Sequence, residues 1–307
     1  MKCTLCSKKS VALFDGKPYC KRHFIKRFEE KALDTIKKYK LINSKRISVA
    51  TSGGKDSTSV LYVVKKYMKK EGLGRPIALL IDEGIKGYRE RTLSDLKRFC
   101  ELEDISLKVV SFQEEFGFSL DDYLANVKSK PCTVCGILRR YLLNKYSKGF
   151  DTIVTGHNLD DESQGFVMNL FNSDIPLMIR QGIVSGAVGF KEFTKRVKPF
   201  YFIKEKEILI YSLLKGFNLS HNECPYADLA LRSKFKVLLN EYEMNNSGAK
   251  KNAIDLFARL KEELLESKNE ILKDFELASC KVCGEASSNE VCSACLLRSA
   301  YKKAKNK

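Results

Sequence analysis

The sequence predicts an α/β protein in which a parallel sheet carries helices on both faces, with a zinc finger at each end of the chain. Three observations lead to this fold class. Between residues 45 and 225, short runs of β-branched and apolar residues alternate with longer amphipathic segments, as in βαβ units. A glycine-containing turn joins the first of these strands to its helix. Each end of the chain carries four closely spaced residues that can ligate metal.

The first and last segments each have the ligand spacing of a closed zinc site. The two patterns are Cys3-x2-Cys6-x13-Cys20-x2-His23 and Cys280-x2-Cys283-x8-Cys292-x2-Cys295. Each offers two ligand pairs on short turns, which completes a tetrahedron and leaves no position open. Neither segment can bury a core by itself, so bound zinc would supply its folding energy. We therefore predict structural zinc fingers at residues 1–25 and 276–307.

The chain between the fingers divides into three predicted parts. A linker helix at residues 26–44 is indicated by apolar residues that recur at helical spacing among lysines and glutamates. Residues 45–225 form the α/β domain, and residues 226–275 are predicted to be mostly helical. Within the domain, the predicted strands are 47–50, 77–81, 107–112 and 152–155, and the helices after them include residues 60–68, 88–103, 134–147 and 159–171.

Charge and cysteine content indicate the kind of partner and compartment. Of 307 residues, 55 are Lys or Arg and 38 are Asp or Glu, which gives a formal net charge of +17. Such a field attracts nucleic acid, because neutralising phosphates releases counterions. The sequence has no apolar run that could span a membrane and no apolar signal segment, and its 11 cysteines fall mostly into metal-ligand spacings typical of a reducing compartment. We therefore expect a cytoplasmic protein without a membrane partner.

The turn after the first predicted strand has the chemistry of a phosphate-binding loop. Two glycines let the backbone turn tightly against an anion, and the next helix directs its positive end to the same place. The lysine adds charge, the serines add hydroxyl donors, and the aspartate can cap the helix or bind Mg²⁺. We call residues 52–57 the phosphate loop; its members are Ser52, Gly53, Gly54, Lys55, Asp56 and Ser57.

Three further cysteines, Cys132, Cys135 and Cys224, are called the central cysteines. Cys132 and Cys135 open a predicted helix, whose amino-terminal end would lower their thiol pKa values. A close pair plus one distant cysteine suits three kinds of site: three ligands of a [4Fe-4S] cluster with one iron left free, a dithiol-persulfide relay, or a third zinc site or inert thiols. The residues alone leave all three open.

The phosphate loop resembles the SGGxDS loop of the N-type ATP pyrophosphatases, which adenylate a substrate oxygen and release pyrophosphate. The whole chain resembles the TtcA/TtuA family of tRNA 2-thiouridine synthetases, in its group with two zinc fingers. The resemblance rests on the terminal cysteine patterns, SGGKDS, PCTVCG, TGHNLDDE at residues 155–162, RVKPF at residues 196–200, and ECPY at residues 223–226.

This resemblance implies a PP-loop ATP pyrophosphatase domain at residues 45–225 and an enzyme that uses ATP to replace the C2 oxygen of a tRNA uridine with sulfur. It also implies that the central cysteines hold a [4Fe-4S] cluster with one iron open to sulfide. Lys55, Asp161 and the central cysteines become the expected catalytic residues. ATP would be bound by the phosphate loop together with Ala50, Ile81, Arg139, Gly156 and Asp161.

The expected cofactors are ATP, Mg²⁺, two Zn²⁺ and the [4Fe-4S] cluster. The expected partners are tRNA, a sulfur donor (sulfide or a thiocarboxylated ubiquitin-like protein) and a second copy of the chain as a homodimer. ECPYA with Arg232, and the pair Arg139 and Arg140, resemble the thiolases of the wobble uridine U34, which we predict as the target. The alternatives are uridine 54 of the T loop, or a persulfide mechanism without a cluster. An RNA-binding module without catalysis, and ATP-dependent amidation or lysidine formation, fit the intact motifs less well.

Overall fold

A computed structural model describes residues 1–185, 194–220, 223–266 and 278–306. At the amino terminus, strands β1 (Ala12–Phe14) and β2 (Lys17–Tyr19) form an antiparallel hairpin. Helix α1 (Lys21–Lys38) begins directly after it and buries Phe24 and Phe28 completely. The hairpin and α1 are therefore continuous. The domain boundaries at residues 25, 44, 225 and 275 stay predictions, and the last of them lies outside the described residues.

The centre of the molecule is a six-stranded sheet. Its strands are β3 (Ile47–Thr51), β4 (Ile77–Asp82), β5 (Leu107–Ser111), β6 (Thr152–Thr155), β7 (Val184–Ser185) and β8 (Lys195–Val197). They lie in the order β5-β4-β3-β6-β8-β7, and every neighbouring pair is parallel except β7 with β8. The chain moves outward from β3 to β5 and then returns to place β6 on the other side of β3. The carboxyl ends of β3 and β6 thus form a topological switch point, where open α/β folds bind ligands.

Helices cover both faces of this sheet, as the fold class predicts. The helices of the domain are α2 (Lys55–Lys70), α3 (Arg89–Leu102), α4 (Phe112–Phe116), α5 (Leu120–Asn126), α6 (Pro131–Tyr146), α7 (Leu159–Phe171), α8 (Ile175–Arg180) and α9 (Glu205–Lys215). After them come a 3-10 turn (Ala227–Leu229), α10 (Leu231–Asn245) and α11 (Ala249–Glu266). The α/β fold class is confirmed. Helices α4, α5, α8 and α9 and strands β7 and β8 were not predicted.

Strand β4 shows why the sheet is buried on both sides. Ala78 and Leu80 face a core built with α1, α2 and α9, whereas Leu79 and Ile81 face a second core built with α5 and α6. Successive residues of a strand point to opposite faces, so a strand between two helical layers has to be apolar throughout. The run Ile77–Ile81 has this composition, which is why the sequence revealed it.

The carboxyl-terminal segment packs onto the second core. Strands β9 (Ala278–Ser279) and β10 (Ala286–Ser287) form a small hairpin, and helix α12 (Ser293–Lys305) follows. The ring of Tyr301 lies 4.4 Å from that of Phe118, between their centroids. This contact holds the terminal segment beside α5 and α6. Within the described ranges, no helix has the length and apolar character needed to cross a bilayer.

Candidate active site at the carboxyl edge of the sheet

The phosphate loop joins the end of β3 to the start of α2 at the switch point. Gly53 has a φ of +80°, and a Cβ atom there would lie 2.2 Å from the carbonyl oxygen of Thr92, so conformation and space both require glycine. The Ser57 hydroxyl closes the turn: it donates to the Gly54 carbonyl at 3.1 Å and accepts from the Ser52 N–H at 3.1 Å. This turn presents the amino-terminal end of α2 to the crevice, which suits an anion.

Lys55 lies in this crevice between two carboxylates. Its Nζ is 2.9 Å from Asp56 Oδ2 and 2.9 Å from Glu205 Oε1, and Glu205 also contacts Lys236 Nζ at 3.0 Å. Burial opposes the lysine charge, but the two carboxylates outweigh it and raise the pKa of Lys55. Burial raises the pKa of Asp56 to about 6 despite the adjacent ammonium group. The loop therefore holds a fixed positive charge beside a carboxyl group that ionises near neutral pH.

The end of β6 packs directly on the phosphate loop. A Cβ atom on Gly156 would lie 2.9 Å from the Asp56 carbonyl carbon and 2.9 Å from the Ser57 nitrogen, so this approach also requires glycine. Asn158 then caps α7, and Asp161 completes a reciprocal capping box by accepting from the Asn158 N–H at 3.1 Å. The other oxygen of Asp161 lies 3.5 Å from Arg232. Burial raises the pKa of Asp161, which has a capping role in addition to its predicted catalytic one.

A buried ion pair, Glu83 with Arg89, was missed by the sequence analysis. Arg89 donates to the Ser52 carbonyl at 2.8 Å and to Thr92 Oγ1 at 3.1 Å, and it pairs with Glu83. Both side chains are almost fully buried, with 5% and 2% exposed. Removing one partner of such a pair is strongly destabilising, so the pair fixes the first residue of the phosphate loop. The signal available in the sequence was an acidic residue just after the end of β4, at the edge where ligands bind.

The other predicted nucleotide residues also lie around this crevice. Ala50 is in β3, opposite Leu79 of β4 and Thr155 of β6. The Ile81 side chain is 3% exposed and lies in the second core, so only its backbone groups could contact a ligand. Arg139 NH1 lies 3.9 Å from Glu83 Oε1, and half of its side chain is exposed.

The central cysteines lie within electrostatic range of Glu83, the carboxylate that Arg89 connects to the phosphate loop. Cys132 and Cys135 occupy the first turns of α6, and Cys132 Sγ lies 3.7 Å from the Tyr226 carbonyl oxygen, two residues beyond Cys224. The Tyr226 hydroxyl donates to Asp121 Oδ1 at 2.7 Å, which ties the Cys224 segment to α5. Cys132 is exposed, and the other two thiols are partly buried.

The expected lowering of the thiol pKa values was wrong for two of these cysteines. Burial, followed by the Glu83 carboxylate, raises the pKa of Cys135 to about 12. Burial likewise raises the pKa of Cys224. A helix end contributes about 0.3–1 kcal/mol, and here burial outweighs it. Cys135 and Cys224 are therefore thiols at neutral pH, and a cation that bound them as thiolates would release their protons.

The two terminal sets are the groups of four ligand atoms that the patterns predicted. In each set the ligand atoms lie within 4.8 Å of one another. At the amino terminus, Cys3 Sγ lies 3.3 Å from His23 Nδ1. At the carboxyl terminus, hydrogen bonds from backbone N–H groups, that of Cys292 foremost, lower the pKa of Cys280 to about 6. Both sets are thus compact enough to hold one metal ion each.

All 11 cysteines are free of disulfides, in keeping with metal-binding thiols. Among the residues that the structure describes, the terminal sets alone bring three or more such ligand atoms within 4.8 Å. At least one pair of the three central Sγ atoms is therefore more than 4.8 Å apart, wider than any pair in the terminal sets.

The sequence is similar to that of known PP-loop proteins and tRNA thiolation proteins. Residues 24–224 match the PP-loop domain family. The chain is 36% identical over 301 residues to the tRNA-5-methyluridine(54) 2-sulfurtransferase of Pyrococcus horikoshii, covering 96% of this chain and 93% of that protein. It is 32% identical over 304 residues to cytoplasmic tRNA 2-thiolation protein 1 of Schizosaccharomyces pombe, covering 96% and 89%.

A solved structure of a tRNA thiolase is also similar to this chain. The U34-tRNA thiolase NcsA from Methanococcus maripaludis with its [4Fe-4S] cluster superposes with a TM-score of 0.81 and 32% identity, covering 97% of this chain and 95% of that one. The resemblance inferred from the motifs is confirmed. The chain belongs to the PP-loop family, in the branch that contains the tRNA 2-sulfurtransferases.

Proposed function

We propose that the protein is an ATP-dependent tRNA-uridine 2-sulfurtransferase that acts on the wobble uridine U34 and releases AMP and pyrophosphate. The position of Glu83 carries this proposal. Its carboxylate reaches the phosphate loop through Arg89 and lies beside Cys135, one of the central cysteines. Two buried side chains, Arg89 and Glu83, thus connect the proposed adenylating site to the surroundings of the central cysteines.

The first step needs the phosphate loop. The ATP phosphates lie against residues 52–57 and the start of α2, with Mg²⁺ held by Asp56. The nucleoside lies along Ala50, Ile81 and Gly156. The uridine O2 attacks the α-phosphorus, the bond to the β-phosphate oxygen breaks, and pyrophosphate leaves. Lys55 stabilises the charge that develops on the phosphates, because its pKa keeps it protonated throughout the neutral range.

Arg139 and Asp161 border the reacting nucleotide from two sides. The Arg139 side chain is half exposed and lies near Glu83. It can therefore contact an anion while it keeps its interaction with that carboxylate. Asp161 is held by its capping box and by Arg232. With a pKa raised by burial, it is suited to accept the uridine N3 proton as O2 is activated.

The second step needs the central cysteines. Three thiols more widely spaced than the ligand atoms of the terminal sets fit a larger group, and the exposed position of Cys132 opens the site to solvent. They fit a [4Fe-4S] cluster ligated by Cys132, Cys135 and Cys224, which when bound supplies an iron without a cysteine ligand, where sulfide can bind. Sulfide attacks C2 of the adenylated uridine and AMP departs, so sulfur replaces oxygen. A persulfide on these thiols is the second candidate, because the same exposure would admit a sulfur donor.

The choice of U34 over uridine 54 rests on the segment after Cys224. Arg232, which belongs to the sequence pattern that favours U34, lies 3.5 Å from Asp161, so this segment reaches the carboxylate that we propose acts on the uridine. Identity alone decides little, because the relative named for uridine 54 is 36% identical to this chain and the structure named for U34 is 32% identical. Three expectations stay predictions: that the protein is cytoplasmic, that it forms a homodimer, and that its sulfur donor is free sulfide or a thiocarboxylated ubiquitin-like protein.

The test is a thiolation assay with anaerobically prepared protein, ATP, sulfide and unmodified tRNA. We expect 2-thiouridine at position 34 by mass spectrometry of nuclease fragments, with one AMP and one pyrophosphate released per sulfur. A transcript with cytidine at position 34 should give no product, and one with cytidine at position 54 should react normally. The reverse pattern would move the target to uridine 54, and ATP cleavage without thiolated RNA would reject sulfur transfer.

The metal content gives an independent prediction. We propose that the ions at the two terminal sets are zinc, because three or four thiolates with at most one imidazole suit it. Anaerobically prepared protein should then contain about two zinc ions and about four irons per chain, with a broad absorbance that bleaches in air. Elemental analysis measures this directly. Zinc near three per chain, with no iron after reconstitution, would reject the cluster and favour a third zinc site.

A further inference from the structure

One stripe of helix α6 leads away from the central cysteines. Cys132, Gly136, Arg140 and Asn144 follow one another at intervals of four residues, and such residues lie on one face of a helix. At about 1.5 Å per residue, Arg140 is about 12 Å along the helix axis from Cys132. The stripe therefore starts at the proposed sulfur-transfer site and includes two exposed residues, Cys132 and Arg140.

Arg140 bends back along this stripe. A Cβ atom on Gly136 would lie 3.2 Å from Arg140 NH1, so the guanidinium group packs directly over the glycine. Side chains of a helix lean toward its amino-terminal end, which here is the end with Cys132. Glycine weakens a helix interior relative to alanine, yet at position 136 the missing Cβ leaves room for the Arg140 guanidinium group.

A second guanidinium group joins the stripe from strand β8. Arg196 donates a hydrogen bond to Asn144 Oδ1, one helical turn beyond Arg140. Burial, together with the positive charges of Arg140 and Arg139, lowers the pKa of Arg196 to about 10, which still leaves it charged at neutral pH. Among the ion pairs of the described residues, Arg140 and Arg196 have no carboxylate partner, whereas Arg139 has Glu83.

We propose that Arg140 and Arg196 bind phosphodiester groups of the RNA strand next to the target uridine. Two neighbouring guanidinium groups without a counterion are stabilised by an anion, and arginine binds phosphate through two parallel hydrogen bonds. ATP has its own anion site at the phosphate loop. A strand along the α6 stripe brings its base toward Cys132 while its backbone contacts the arginines. This inference rests on the proposed function, since it takes tRNA as the substrate.

The experiment measures binding of unmodified tRNA at several salt concentrations, for wild type, Arg140→Gln, Arg196→Gln and the double variant. The slope of log affinity against log salt should fall by about 0.7 for each lost phosphate contact with a single strand. ATP affinity and iron content should not change. Lys145→Gln is the matched control: it removes one charge from the same helix, at a residue already paired with Glu115. Its slope should equal that of wild type.

Arg140→Lys tests the geometry without removing the charge. It should keep the wild-type slope and still bind tRNA less tightly, because lysine cannot form the paired hydrogen bonds. Wild-type slopes in both glutamine variants would overturn the proposal. So would a weaker ATP affinity with an unchanged tRNA slope, since the arginines would then serve the nucleotide. If wild type formed no 2-thiouridine but the slopes fell as expected, the proposed activity would fail and the RNA site would stand.

Discussion

Lys55→Ala should lower the rate of 2-thiouridine formation by about 100- to 1,000-fold, the usual cost of removing one group that stabilises transition-state charge. Lys55 lies in the phosphate loop, 2.9 Å from Asp56 and 2.9 Å from Glu205, and it is the loop's own lysine. Iron content and tRNA affinity should stay at wild-type values, because Lys55 contacts none of the central cysteines among the described hydrogen bonds and ion pairs. Thiolation under single-turnover conditions, iron analysis and tRNA binding measure these three quantities.

Lys65→Ala is the control for this prediction. It removes another lysine of α2 that also pairs with a carboxylate, Glu103, at 2.8 Å, but it lies away from the crevice. Its thiolation rate should be close to wild type, since a partly exposed ion pair contributes about 0–1 kcal/mol. If Lys55→Ala lost its cluster or its fold instead of its rate, Lys55 would be a structural residue.

Asp161 requires a finer comparison because it completes a capping box. Asp161→Ala should lose thiolation, yet it also removes a helix cap, which costs about 0.5–2 kcal/mol. Asp161→Asn keeps an oxygen that can accept from the Asn158 N–H and removes the ionisable group. An inactive, normally stable Asp161→Asn enzyme would assign the loss to catalysis. An active one would leave Asp161 a purely capping role.

The elements that the sequence predicted well are those whose signals are local. The strand at residues 152–155 and the helix at residues 159–171 were both predicted with their observed bounds. A short apolar run marks the strand, and a capping pattern marks the start of the helix. Helix α9 was missed because its apolar residues are spread around the helix rather than along one face. Strand β7 has two residues and β8 three, too few for any period to appear.

The parts of the site that could not be predicted depend on contacts between distant segments. Glu205 lies 150 residues from Lys55, and Arg89 lies 37 residues from Ser52, so no spacing in the sequence links them. The thiol pKa values show the same limit in electrostatics. The position of Cys135 at a helix start is visible in the sequence, whereas its burial beside Glu83 exists only in the folded chain.

Cys224→Ala separates the two mechanisms that the three thiols allow. If Cys224 is a cluster ligand, the variant should hold a labile or [3Fe-4S]-like site and lose sulfur transfer completely. ATP binding should persist, because Cys224 has no contact with the phosphate loop among the described hydrogen bonds. If Cys224 instead accepts or resolves a persulfide sulfur, its loss should leave the iron content of the protein unchanged.

The measurement is iron and acid-labile sulfide in wild type and Cys224→Ala, prepared anaerobically side by side, followed by thiolation of unmodified tRNA with ATP and sulfide. Cys100→Ala is the matched control: Cys100 is a buried thiol on α3, with a pKa that burial raises to about 11, and its loss should change neither metal nor activity. An active Cys224→Ala enzyme would exclude both mechanisms. An inactive one with a stable four-iron cluster would reject ligation and assign the thiol a direct part in moving sulfur, because ligation and sulfur transfer would then have been separated at one residue.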